Sequence, residues 1–492
     1  MCALFVIVAI VIYPPEYLVN MVRLSPLQRK LKLKNPSESA KQKRAQAQEG
    51  VSIVTLPVGK HIDIELQDLS HDGRGVGRWQ GKTVFVKGAL KGELVSAEVL
   101  TDHKTYAEAQ VLEINQASPD RTEPMCPVYD TCGGCQLQHL KADAQVAFKQ
   151  AAIAEQLRRL GAIESPLWVD PISGDSQGYR RRAQLATRYF ADSKTLLMGF
   201  RRTSHKHIVP IDQCPVLEPA LSALLTPLHD VLVSLEQTAL VTHVELLQAQ
   251  HMLCVSLKVS SCLTAADQVL LAQFGAQQGA SIVCQQTNSD DLWLHGSASG
   301  LVYSLPVGNE GKHLGVEFSV QDFVQINARV NQAMVAQAMD WLQLKPQDQV
   351  LDLFCGVGNF ALPMAYAGGQ VLAIEGDYAM VQRGRENAQN NGLGNLDFKH
   401  ADLFDSSARK QLPKQTINKV LLDPPRAGAK GIAQLLKGQP LERMVYVSCN
   451  PASMARDLKD LQALGLKLEK IGCVDMFPHT THLEVMALLI KK

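Results

Sequence analysis

VLDLFCGVGNF, residues 350–360, decides the fold. Val350 to Phe354 read as a buried strand, Gly356 and Gly358 as a turn, and Phe360 to Ala367 as a helix. The next strand, Val371 to Ile374, closes on the acid Glu375. Glycines let backbone pass close to a ligand, and an acid at that strand end accepts hydrogen bonds from a ribose diol. The turn departs from the dinucleotide pattern G-x-G-x-x-G, because the third small residue, Ala361, is displaced. S-adenosylmethionine therefore suits it better than NAD: Asp352 can take an ammonium group, and no pyrophosphate cradle is required. Outward from this stretch, strands at 419–423, 445–447 and 483–490 alternate with helices from about residue 316. That is an α/β architecture, a doubly wound Rossmann-like sheet.

Ligands in such sheets sit beyond the carboxyl ends of the strands. Three further motifs fall there. Ser448-Cys449-Asn450-Pro451 follows an apolar run and projects a thiol into the cleft. Asp423-Pro424-Pro425-Arg426 places a carboxylate at a rigid turn. Asp402 can meet an adenine or cap a helix. A thiol beside a nucleoside cofactor points to covalent catalysis on an electrophilic ring; the plain alternative is a small buried thiol.

The rest of the chain is read from composition and spacing. It has 492 residues, 46% apolar and 20% charged, with net charge +1, so a polyanion site must arise from local clustering. The apolar run at 2–13 is too short to span a bilayer, which takes about 20 residues, and a misassigned start upstream of Met21 accounts for it. The basic stretch to residue 50 reads as a disordered tail. Short alternating runs at 51–115, with Gly-rich turns, give a small closed OB-like β-barrel resembling a TRAM RNA-binding module. Residues 141–160 read as a helix with Val146, Ala147, Ile153, Leu157 and Leu160 on one side. Tyr179 to Leu185 and Gly199 to Arg202, followed by His205, Lys206 and His207, suit an RNA groove. Eleven cysteines are too sparse for a disulfide scaffold. Cys126, Cys132, Cys135 and the distant Cys214 make a four-thiolate metal set, and spacing leaves zinc and iron–sulfur both open.

Taken together, FVQIN (323–327), DLFCGVGN (352–359), DPPR (423–426), SCNP (448–451) and HLE (482–484) resemble the S-adenosylmethionine-dependent RNA uracil-5-methyltransferase family. The resemblance covers the C-terminal third in order. It implies cofactor binding by Gln325, Phe354, Asn359, Glu375, Asp402 and Asp423, a nucleophile at Cys449 and a proton acceptor at Glu484. It also implies a [4Fe–4S] cluster on the four cysteines, as in members that modify rRNA. A barrel, a cluster and a methyltransferase domain together suit the branch acting on 23S rRNA; the tRNA-directed branch is expected to lack both accessories.

The chemistry explains the residue types. Uracil C5 is too weak a nucleophile to take a methyl group unaided. Thiolate addition at C6 makes it electron-rich, and a base then removes the C5 proton so the sulfur can leave. A free thiol has a pKa of about 8.5, so the site is expected to lower that of Cys449. The target uridine must be unstacked to be reached. The expected division is a tail at 1–50, the barrel at 51–115, a central α+β cysteine-bearing domain at 116–315 and the methyltransferase domain at 316–492. The expected protein is a cytoplasmic monomer with 23S rRNA as partner and no stable membrane association. The rival readings are the same chemistry on tRNA or another rRNA uridine, and a non-catalytic RNA-binding assembly factor.

Overall fold

Alternating burial closes the first sheet. Strands β1 (His61–Leu69), β2 (Gly75–Trp79), β3 (Lys82–Lys87), β4 (Leu94–Asp102) and β5 (Tyr106–Gln116) form a closed barrel in the order β1-β2-β3-β5-β4. Ile62, Ile64 and Leu66 of β1 meet Val84, Val86 and Val95 inside it. The computed structural model describes residues 54–491 except 162, 164–165, 204–205, 287–289, 309–310 and 406–415. The apolar run at 2–13, the basic tail and His205 therefore lie outside the described residues. Two of the barrel's basic residues are already paired: Lys82 with Asp102, and Arg74 with both Asp72 and Glu108.

The second sheet has seven strands: β6 (Arg182–Phe190), β7 (Thr195–Arg201), β8 (Ile208–Pro210), β9 (Val241–Gln248), β10 (Leu253–Val259), β11 (Ala280–Gln286) and β12 (Leu292–His295). Their order is β12-β11-β10-β9-β6-β7-β8. This sheet corrects the RNA-groove expectation for the first basic segment. Arg181 is buried and donates from Nε to the Gln325 carbonyl at 2.7 Å. Arg182 pairs with Glu245 and donates to the carbonyls of Val320 and Asp322. Tyr179 is buried and donates to the Pro478 carbonyl at 2.9 Å. These groups hold chain segments together and are not displayed to a polyanion; Arg201, Arg202 and Lys206 remain exposed.

A hairpin, β13 (Val302–Val307) and β14 (Lys312–Glu317), packs into the same core as the last sheet. That sheet comprises β15 (Gln349–Leu353), β16 (Gln370–Glu375), β17 (Leu396–His400), β18 (Lys419–Leu422), β19 (Arg443–Ser448), β20 (Leu466–Cys473) and β21 (Val485–Lys491). Its order is β17-β16-β15-β18-β19-β21-β20. All neighbours from β17 to β19 run parallel, and β21 runs antiparallel to both its neighbours. The strand order reverses between β15 and β18, which opens a crevice at their carboxyl ends. The near-continuous apolar runs of β15, β18 and β19 follow from burial on both faces.

The helix expected at 141–160 is regular over Ala142–Gln156 and widens into a π turn at Leu157–Gly161. Its buried face keeps Ile153 and Leu157 of the expected apolar side but adds two polar residues to them. Ala147 and Leu160 are exposed, and Gln145, Lys149, Ile153 and Leu157 point inward. Asp475 and His479, polar partners on the far side of the interface, decide that orientation. No helix among the described residues is long and apolar enough to cross a membrane.

Candidate active site and cysteine centre

The glycine turn leaves β15 through Phe354, whose φ of 64° is left-handed, and its N–H donates to the Ile374 carbonyl at 3.0 Å. At Gly356 (φ 55°) a Cβ would meet nothing within 4 Å, so the turn faces open space there. At Gly358 (φ 105°) a Cβ would lie 2.3 Å from Leu362 Cδ1. The first glycine thus fits a ligand cradle and the second a packing constraint. Glu375 binds the turn itself: Oε2 accepts from the Gly356 N–H at 3.0 Å, and Oε1 from the amides of Gly376 and Asp377.

Acids gather around this crevice, and Arg426 acts on Glu484 and Cys449 there. Asp352 is 0% exposed, and neither of its carboxylate oxygens completes a hydrogen bond. Burial first, then Asp423 and Glu375, push its pKa well up, with the Ala361 amide opposing. Burial lifts Asp423 to about 7. Glu484, 4% exposed at the foot of β21, is raised well above the carboxylate range by burial and by Asp423, against Arg426. A pocket of close, desolvated carboxyls is stabilised by a positively charged ligand.

Cys449 stands at the same edge. Ser448 Oγ accepts from the Asn450 N–H at 3.1 Å, and the Asn450 side chain caps the helix Pro451–Gln462 through the Ala452 amide. Asn450 Nδ2 also donates to the Arg426 carbonyl at 2.9 Å, which ties the two motifs together. The thiol is half-buried. Burial, then Glu484, raise its pKa; Arg426 lowers it and Asp423 raises it. The expected depression is therefore absent in the free protein, because desolvation and two acids outweigh one guanidinium.

The remaining expected cofactor residues divide. Phe354 packs against Phe404 with ring centroids 5.7 Å apart. Asp402 is exposed, and its Oδ1 accepts from the Phe404 amide at 2.9 Å, so it caps the turn carrying that ring. Gln325 is buried. Asn359 is committed to a reciprocal amide pair with Asn331, at 2.8 and 3.0 Å, and to the Tyr303 hydroxyl. Asp423 acts on Asp352, Glu484 and Cys449, and Glu375 acts on Asp352, so these groups are neighbours; Asn359 stitches the turn to the helix Ala328–Leu342.

The four cysteines also converge. Cys132 feels the Cys126 and Cys214 thiols, and Cys135 feels all three others. Burial pushes Cys135 to about 12, and the neighbouring thiols add to the rise against a Gln138 hydrogen bond. Gly133 permits a close approach to β7: a Cβ there would lie 2.6 Å from the Arg201 carbonyl oxygen. Four soft thiols form a donor set that either a zinc ion or an iron–sulfur group would suit. Among the described residues, no three His, Cys, Asp or Glu side chains converge tightly enough to hold a single ion.

Comparison with known proteins agrees with this geometry. The family model for tRNA (Uracil-5-)-methyltransferase matches residues 141–492. The chain belongs to that family. A TRAM domain model matches residues 56–112, the barrel segment. Relatives named 23S rRNA (uracil(1939)-C(5))-methyltransferase RlmD share 41% identity in Shewanella sediminis, over 87% of this chain and 95% of theirs. The namesake in Pseudomonas putida shares 42%, over 88% and 94%. Among solved structures, the family fold recurs in the Pyrococcus abyssi tRNA (uracil-54, C5)-methyltransferase in complex with S-adenosyl-L-homocysteine. Its TM-score is 0.65 at 22% identity, over 87% of this chain and all of that one. That coverage exceeds what the residues after the barrel can supply. The fold likeness therefore extends beyond the methyltransferase domain.

Sequence reasoning missed one group near the site. Gln145, Lys149, Asp475 and His479 form a buried polar cluster behind the loop that ends at Glu484. The available signal was the pair Gln145 and Lys149, four residues apart and so on one face of a helix otherwise rich in alanine.

Proposed function

We propose that the protein transfers a methyl group from S-adenosyl-L-methionine to C5 of a uridine in 23S rRNA. The observation that carries this reading is the meeting of Cys449 with Asp423 and Glu484 in a cation-seeking crevice beside the glycine turn. S-adenosylmethionine would bring an ammonium and a sulfonium towards Asp352, neither of whose carboxylate oxygens completes a hydrogen bond, and towards Asp423 beside it. Glu375 would hold the donor's ribose and Phe354 its adenine, with Gln325, Asn359 and Asp402 as further residues of the pocket. A bound cation lowers the pKa of Asp423, Glu484 and Cys449 together, which releases the thiol proton to solvent.

The Cys449 thiolate then adds to C6, and the ring's electron pair passes to C5. C5 takes the methyl group in line, leaving a neutral thioether. Glu484 removes the C5 proton, the C5–C6 double bond re-forms and the sulfur–carbon bond breaks. Asp423 orients the uracil or the methyl donor. Cys126, Cys132, Cys135 and Cys214 would hold a [4Fe–4S] cluster that ties the loop at 126–135 to Cys214; no step passes through it. The same reading divides the chain into barrel, cysteine-bearing centre and methyltransferase domain.

The identity of 41% to relatives named for 23S rRNA supports that substrate over tRNA. Mass mapping of nuclease-digested rRNA and tRNA, from cells with and without the gene, decides the matter. Loss of one 5-methyluridine from 23S rRNA is expected; loss from tRNA alone overturns the substrate. Methyl transfer by Cys449→Ala overturns the mechanism.

A further inference from the structure

Between β20 and β21 the chain makes a loop whose feet are joined by the Val474 N–H donating to the Glu484 carbonyl at 2.9 Å. Glu484 is one foot. The tip, Phe477–Thr480, is held from outside by parts of the chain more than 300 residues away in sequence. Gln136 and Leu137, directly after Cys135, both donate their N–H groups to the His479 carbonyl, at 2.8 and 2.9 Å. Gln145 Oε1 accepts from the His479 N–H at 2.7 Å, and its Nε2 lies 3.1 Å from His479 Nδ1. The fully buried Lys149 pairs with Asp475 at 2.6 Å and donates to the Phe477 carbonyl at 2.8 Å. His479 is left-handed at φ 65°, a conformation a bulky residue keeps only when its surroundings impose it. A Cβ at Gly73 of the barrel would lie 3.1 Å from the Thr481 side chain, so the barrel closes the same strap.

Resting on the reading of Glu484 as proton acceptor, we propose that Gln145 and His479 are positioning residues for that base, and that the cysteine loop buttresses them. The clamp spends buried polar groups and backbone strain on one loop. It makes no bond to Cys449, whose own loop is fixed by Ser448 and Asn450. Loosening the clamp therefore impairs the step that needs Glu484 and spares the steps that need Cys449.

The two steps separate on RNA tritiated at uridine C5. Addition and methyl transfer are read from incorporated methyl, and proton removal from released tritium. In the wild type the two run one to one. In Gln145→Met, methyl incorporation in the first turnover should stay within about twofold, tritium release should slow at least tenfold, and a methylated RNA–protein adduct resistant to denaturant should accumulate. His479→Ala, which keeps the backbone acceptor but disfavours the left-handed backbone, should do the same. His479→Asn, which tolerates it, should restore release. Parallel loss of methyl and tritium signals in folded Gln145→Met and His479→Ala protein, or no change in either, overturns the proposal. Glu484→Gln separates the two readings. If it retains tritium and the clamp variants do not, only the clamp inference fails; if it releases tritium normally, the assignment of the base fails.

Discussion

The Glu484 carboxyl lies close enough to the Cys449 thiol to push its pKa upward, and Arg426 pulls both down. Nucleophile and base are thus mutually antagonistic in the free protein: each is easier to ionise while the other stays neutral.

Alkylation kinetics test this balance. Iodoacetamide should modify Cys449 slowly at pH 7.5 in the free protein, with the rate still climbing above pH 9. Arg426→Met should slow it further by removing the favourable charge, and Asp423→Asn should speed it. One pKa unit corresponds to about tenfold in thiolate fraction well below the pKa. An Arg426 variant that reacts faster than wild type contradicts this assignment of opposing charges. Mass spectrometry of the Cys449 peptide isolates this site from the other cysteines.

Binding of the methyl donor should release protons. Asp423 is raised to about 7, and Asp352 and Glu484 are raised as well. A carboxyl raised on folding holds its proton more tightly in the folded chain. From its unfolded value near pH 4 up to about 7, Asp423 therefore makes the free protein less stable as pH rises. The cationic donor reverses the shift, so its affinity should increase with pH across the same window. Calorimetry in buffers of different ionisation enthalpy should show net proton release for S-adenosylmethionine and less for S-adenosylhomocysteine, which lacks the sulfonium charge. Equal release for both ligands counts against the acids as sulfonium partners.

The crevice was legible in the sequence because its motifs sit at strand ends, where local pattern and fold agree. The strand through Leu353, the acid Glu375 and the thiol Cys449 each follow an apolar run that only a buried parallel strand explains. The second arginine-rich segment reached the surface as expected, but Arg181 and Arg182 did not. A one-dimensional pattern cannot tell an exposed guanidinium from one that satisfies distant carbonyls such as Gln325 O and Val320 O. The helix at 142–156 misled for the same reason. Periodicity assigns the buried face to apolar residues, whereas Gln145 and Lys149 are inward because Asp475 and His479 meet them there. Asn359 sits in the glycine turn as read, and its amide pairs with Asn331, a contact the local pattern does not show.

The two glycines of the turn should separate stability from binding. Gly358→Ala puts a methyl group 2.3 Å from Leu362 Cδ1 in a left-handed backbone. Strain and overpacking of this kind cost about 2–4 kcal/mol together. Gly356→Ala meets no atom within 4 Å, so its cost is the backbone preference alone, about 1–2 kcal/mol. It nevertheless places a methyl group where the ligand should lie. Thermal melts should therefore rank Gly358→Ala as the less stable variant. Equilibrium dialysis should give Gly356→Ala the larger loss of S-adenosylmethionine affinity per unit of stability lost. The opposite ranking in both measurements places the ligand elsewhere.

The cysteine centre gives the last test, and its logic is electrostatic. Cys132, Cys135 and Cys214 are each raised by burial and by neighbouring thiols, so without a cationic group these three hold their protons more tightly than a free thiol does. An iron–sulfur group held by Cys126, Cys132, Cys135 and Cys214 would supply metal charge to these thiols and cross-link Cys214 to a loop whose end holds His479. Protein purified without oxygen should carry iron and inorganic sulfide in equal amounts, with a brown absorbance that Cys214→Ala removes. Because Cys214 is remote from the glycine turn in the sequence and makes no bond to it, that variant should keep its affinity for S-adenosylmethionine. It should melt at a lower temperature and expose residues 477–482 to faster hydrogen exchange. Stoichiometric zinc in place of iron rejects the cluster, and unchanged exchange at 477–482 rejects the link between the cysteine loop and the strap.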